Sequence, residues 1–115
     1  IYQGSELGMT NVAFPSIEDY RDIETLNYWK ESAERGADMD TLLQGIHRQG
    51  RDNVRTPMHW DDSPHAGFTT APEPWIKLNP NYQSINAKAV LADPSSIFYY
   101  YQALLAFRKA NKTLV

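Results

Sequence analysis

Five prolines, Pro57, Pro64, Pro72, Pro74 and Pro80, punctuate residues 51–83, and no hydrophobic period is sustained between them. Proline fixes φ and lacks the N–H that a helix interior or a central strand needs, so no long regular element fits here. A stretch of about 30 residues without regular structure is uncommon in a compact domain and is usually functional or disordered. Disorder does not suit this one, because Trp60, Phe68, Trp75, Ile76, Leu78 and Tyr82 bring more apolar surface than a solvated coil carries. The stretch reads as a folded, functional loop.

The flanks are more regular. Residues 1–3 read as the tail of a strand ended by Gly4, and the chain opens on "IYQG" as if cut inside that strand. Residues 5–21, with Gly8 and Pro15, read as loop. Ile23, Leu26, Tyr28 or Trp29, and Ala33 recur at helical spacing between Asp22 and Arg35, with Gly36 placed to end that helix. Asp38 is positioned to cap a second helix with an apolar stripe of Met39, Leu42, Leu43 and Ile46, closed by Gly50. A short helix is predicted over 84–92 with Ser84 as its cap. The last helix is predicted over 94–110, with Asp93 as N-cap and Pro94 in its first position. Its apolar face holds Ile97, Tyr101, Leu104 and Leu105, expected to be buried in a complete protein.

Composition narrows the functional classes. A net charge of -3 with no lysine–arginine cluster argues against nucleic acid or a membrane surface as partner. With no cysteine there is no disulfide framework and no thiolate site, which leans toward a cytoplasmic protein. No apolar run approaches the roughly 20 residues of a transmembrane helix, and no signal peptide is visible. Seven Tyr and three Trp among loop residues suit carbohydrate, because a flat apolar ring can stack on a sugar face; they also suit loop packing. His47, His59 and His65 have no metal-ligand spacing, and no metal or cofactor is expected.

One strand, a long insertion and an amphipathic helix make a single strand-to-helix unit. In a (β/α)8 barrel, such loops at the strands' C-terminal ends build the active site. The segments "IYQGSELGMTN", "DYRDIETLN", "GRDNVRTPMHWDDSPHAGFTT", "EPWIKLNPNY" and "SIFYYYQALLAFRK" resemble the end of the catalytic barrel in glycoside hydrolase family 13. The subgroup they resemble holds oligo-1,6-glucosidases, dextran glucosidases, α-glucosidases and trehalose-6-phosphate hydrolases. The resemblance covers essentially the whole chain. It implies that residues 1–115 are the C-terminal portion of one (β/α)8 domain, mainly α with long ordered loops. They would supply the eighth strand, its loop insertion and the eighth helix, with no separate second domain.

The resemblance also implies retaining hydrolysis of α-glucosidic bonds, by a nucleophilic carboxylate and a carboxylic acid about 5 Å apart. In the family these follow earlier barrel strands, and their motifs are not in this sequence. No catalytic residue is therefore expected here, and the chain alone should be inactive. Glu18, Asp19 and Glu24 make no credible catalytic pair, since nothing in the sequence supplies a pocket to raise one pKa. What the chain would contribute is substrate binding. By resemblance, Arg51 grips the terminal glucose before the cleaved bond, and Glu24 binds the leaving sugar, where linkage preference is set; read on their own, Arg51 also suits a salt bridge within the loop and Glu24 an exposed first-turn position favoured by the helix dipole. A guanidinium fork suits paired hydroxyls, or a carboxylate that holds them. Arg55 is a further substrate-binding candidate that reads first as a brace of the loop. Asp52 and Asn53 read as turn formers, Trp60 as a core aromatic of the loop, and Asp61, Asp62 and His65 as loop braces. His59 departs from the family pattern, which usually has Gln there. The expected partner is an oligosaccharide, and an isolated piece of barrel would expose apolar faces that favour self-association. The alternatives are a trehalose-6-phosphate hydrolase segment, or a non-catalytic fragment with at most weak sugar binding.

Overall fold

The computed structural model describes residues 1–114, which fall into two compact units. Unit 2 comprises Thr10–Pro57 and Ala71–Asn79; unit 1 comprises Ile1–Met9, Met58–Thr70 and the residues from Pro80 onward.

Unit 2 is built on two helices, α1 (Ile23–Glu34) and α2 (Met39–Gln49). Both start where capping chemistry places them. Asp22 accepts the Thr25 N–H at 3.0 Å, and Asp38 accepts the N–H groups of Asp40 and Thr41. Gly36 stands at φ 75°, the left-handed conformation glycine adopts most cheaply, just beyond α1. Gly50 ends α2. Val12, Phe14, Tyr20, Ile46 and Ile76 form the buried core, with Leu26, Trp29, Leu42 and Leu43 packed against it. Ile76 comes from the proline-punctuated stretch, whose apolar residues thus belong partly to this core.

That stretch is ordered by short 3₁₀ turns at Arg51–Val54 and Pro80–Gln83, and by a tight turn at Pro64–Gly67 in which His65 and Ala66 both stand at φ 56°. Asp52 and Asn53 are more than turn formers. The Asn53 side chain accepts the Val12 N–H at 3.0 Å and donates to the His47 carbonyl at 3.1 Å. Asp52, fully buried, accepts the Arg21 and Asp22 N–H groups at 2.6 and 3.0 Å.

Unit 1 carries α3 (Ala87–Ala92) and α4 (Ile97–Ala110). No strand is present among the described residues; the Tyr2 carbonyl, which a strand would offer to a neighbour, takes the Ser5 N–H at 3.2 Å in a turn. The cap of α3 is Asn86, accepting the Ala89 N–H at 2.8 Å; Ser84 instead donates its hydroxyl to the Asn81 carbonyl. The last helix begins at Ile97 behind Ser96, because the Asp93 carboxylate is committed to the Ser95 N–H and hydroxyl at 2.9 and 2.7 Å. That makes Asp93–Ser96 a turn, a setting that suits Pro94 as well as a helix start does. Along α4, Ile97, Leu104 and Leu105 are each more than two-fifths exposed.

Trp60 does not fill the core of its loop: it is 52 % exposed, whereas His59 and Ala66 are fully buried. The His59 and Trp60 carbonyls receive the Ala87 and Lys88 N–H groups at 2.9 and 3.0 Å, fastening the loop to the start of α3. As expected of braces, Asp61 accepts the Ser63 N–H at 2.9 Å and Asp62 pairs with Lys88 at 2.9 Å.

The His59 Nδ1 lies 2.7 Å from the Ile85 carbonyl. A carbonyl only accepts, so Nδ1 carries the proton, and the buried Nε2 has no partner among the described residues. Burial pushes the imidazole below its ordinary pKa, and the Ile85 carbonyl opposes this only in part. The unfolded chain therefore takes up a proton near pH 6.5 that the folded ring refuses. Stability is full above that pH and falls as the pH drops toward the folded pKa. In the full-length protein, the thermal midpoint should fall less between pH 7 and pH 5 in His59→Gln than in the wild type; equal slopes would rule out His59 as the cause.

Candidate functional site

Within unit 2, a cleft of about 770 Å³ runs between α1 and α2. This lies in the range of small-ligand sites, about 300–1,000 Å³. Asp22 starts α1 at one end, so Glu24 falls in the first turn on the cleft side and Tyr28 one turn further on. Gly50 ends α2 and turns the chain so that Arg51 closes the same end from across the cleft. Leu42 and Ile46 supply an apolar wall.

The structure brings Arg51 and Glu24 together: Nη1 of Arg51 stands 2.9 Å from Oε2 of Glu24. The two side chains are 62 % and 69 % exposed. An ion pair this wet contributes only about 0–1 kcal/mol, so it is a poor reason for the fold to hold the two groups there. Hydroxyls of a polar ligand can replace either partner at correspondingly small cost.

Arg55 is engaged differently. Its Nη1 is 2.7 Å from Asp22 and 3.7 Å from Asp52, both buried carboxylates. This is the bracing arrangement that the sequence left open beside substrate binding. For Asp22, burial is the largest influence and raises the carboxyl pKa. The hydrogen bonds from Arg55 and from the Thr25 N–H and hydroxyl together outweigh it, so the net direction is down. Asp22 thus stays ionised, capping α1 and anchoring Arg55 at once. Asp52 ties Arg51–Val54 to the residues just before α1, which fixes the Arg51 backbone relative to the helix that carries Glu24. No local pattern signals this, because the hydrogen bond from Arg21 to Asp52 spans 31 residues.

The whole chain, residues 1–115, matches the alpha-amylase family, described as "Alpha amylase, catalytic domain". It is 60 % identical over its full length to an oligo-1,6-glucosidase of Parageobacillus thermoglucosidasius, of which it spans 20 %. It is 54 % identical to the trehalose-6-phosphate hydrolase of Escherichia coli K12, with 99 % of this chain and 20 % of that protein aligned. Among solved structures, the isomaltulose synthase SmuA of Protaminobacter rubrum superimposes with a TM-score of 0.92 at 46 % identity, over all of this chain and 21 % of that one. The chain therefore spans about a fifth of the length of the curated relatives it matches.

Proposed function

Because this chain belongs to the alpha-amylase catalytic-domain family, a family of TIM barrels, we propose that it is the substrate-binding last segment of a retaining, exo-acting α-glucosidase. The segment runs from the eighth barrel strand, through its long loop, to the eighth helix α4. Neighbouring barrel elements of the longer protein then pair with residues 1–3 and cover Ile97, Leu104 and Leu105. The preferred bond is α-1,6-glucosidic in short isomalto-oligosaccharides. Relatives named oligo-1,6-glucosidase and glucan 1,6-alpha-glucosidase, at 60 % and 50 % identity, favour that linkage.

The observation that carries this reading is the exposed Arg51–Glu24 pair at one end of a ligand-sized cleft. Arg51 holds the terminal glucose, and Glu24 accepts hydroxyls of the leaving sugar. Arg55 acts through Asp22 and Asp52, holding the loop rather than the sugar. The chemistry itself belongs to carboxylates elsewhere in the longer protein, which cleave through a covalent glycosyl intermediate.

The test is glucose release by the full-length protein from isomaltose and from trehalose 6-phosphate. Isomaltose is the expected substrate; a clear preference for trehalose 6-phosphate would move the reading to the hydrolase of the Escherichia coli kind. The 115-residue chain alone is expected to release no p-nitrophenol from p-nitrophenyl α-glucoside. Turnover that survives exclusion of contaminating hydrolases would contradict this.

A further inference from the structure

The cleft continues well beyond the Arg51–Glu24 pair. It follows α1 from Glu24 past Tyr28 to Ser32, eight residues and about 12 Å at the helical rise of about 1.5 Å per residue. A terminal glucose and a first leaving sugar, placed at the ion pair, leave this length unused. Its chemistry differs from that of the charged end. Tyr28 is 57 % exposed, with no hydrogen bond holding its hydroxyl among the interactions of the described residues, and it stands one helical turn from Glu24 on the same side. Leu42 and Ile46 of α2 line the same cleft, and Gln49 adds an amide beside Arg51.

We propose that this stretch of the cleft binds the second leaving-side glucose of a longer isomalto-oligosaccharide, with Tyr28 as its stacking platform and Gln49 as its hydrogen-bonding group. The proposal rests on the reading of Arg51 and Glu24 given above. A pyranose has hydroxyls around its rim and C–H bonds on its faces, so it needs a flat apolar surface and a few polar groups at its edge. An exposed tyrosine ring beside an apolar wall provides the first at little entropic cost, since only two side-chain torsions are fixed. The glutamine amide provides the second with both a donor and an acceptor. Tyr28 stands outside the buried core of unit 2. The consequence is chain-length selectivity: Tyr28 distinguishes the trisaccharide from the disaccharide, while Arg51 and Glu24 act on both.

The experiment measures kcat/KM on isomaltotriose and isomaltose for the full-length protein and its Tyr28→Ala, Tyr28→Phe and Glu24→Gln variants. Tyr28→Ala should lower the trisaccharide-to-disaccharide ratio by roughly three- to tenfold, the scale of an aromatic stacking contact. Tyr28→Phe, which keeps the ring, should preserve the ratio, and Glu24→Gln should lower both values together. An unchanged ratio in Tyr28→Ala, with Glu24→Gln impaired on both sugars, overturns the proposal and leaves the Arg51–Glu24 reading intact. If Glu24→Gln and Arg51→Ala are both unimpaired on isomaltose, the underlying reading falls and the proposal with it.

Discussion

Arg51→Ala in the full-length protein is expected to lower kcat/KM on isomaltose by roughly ten- to a hundredfold. A charge-assisted contact to a sugar hydroxyl, or to the carboxylate that holds it, is worth about 1.5–3 kcal/mol, and each 1.4 kcal/mol is about a decade. The ion pair with Glu24 contributes little of this, because both partners are mostly exposed. Part of the loss should fall on kcat, since a misplaced terminal ring misaligns the bond to be cleaved. Arg51→Lys should recover little, because an ammonium does not reproduce the planar fork. Arg55→Lys should cost far less, since the charge facing Asp22 and Asp52 is kept. The thermal midpoints of these variants should stay close to that of the wild type. Nearly full kcat/KM for Arg51→Ala at unchanged stability would remove Arg51 from sugar binding.

The largest stability effect is expected at Asp52. Its carboxylate is fully buried and accepts the Arg21 and Asp22 N–H groups at 2.6 and 3.0 Å. Asp52→Ala leaves both donors without their acceptor and removes one of the two anions facing Arg55. Breaking a buried charge network of this kind costs about 3–5 kcal/mol, a large part of the stability of an ordinary domain. Asp52→Asn keeps an acceptor oxygen for the two N–H groups and should lose less. Because Asp52 also fixes the Arg51 backbone, folded Asp52→Asn should show a raised KM on isomaltose beside its lower denaturation midpoint. A denaturation midpoint for Asp52→Ala equal to that of the wild type would show that these hydrogen bonds do not hold the loop.

What the sequence made legible follows local rules. Asp22, Gly36, Asp38 and Gly50 bound α1 and α2 as capping chemistry requires, because each acts within a few residues of its own position. The same locality explains the misplaced start of α4. Asp93, Pro94, Ser95 and Ser96 offer two competing starts, and which side chain caps depends on where the Asp93 carboxylate goes. The strand expected at residues 1–3 depends on a pairing partner, which no local pattern can supply. Asp52 and Asn53 read as turn formers because that is their commonest local use; their partners, Arg21 and Val12, lie 31 and 41 residues away. The resemblance singled out Arg51 and Glu24 one at a time. Their pairing across the cleft, and the position of Tyr28 beside it, needed the packing of α1 against α2.

A crystal structure of the full-length protein with isomaltose, trapped by replacing the nucleophilic carboxylate with its amide, tests the sugar-site assignment most directly. The expected result is the terminal glucose within hydrogen-bond distance of the Arg51 guanidinium, or of a carboxylate that Arg51 holds, with the second glucose against Glu24. Isomaltose bound elsewhere, with Arg51 and Glu24 still paired to each other and out of reach of any hydroxyl, would contradict it.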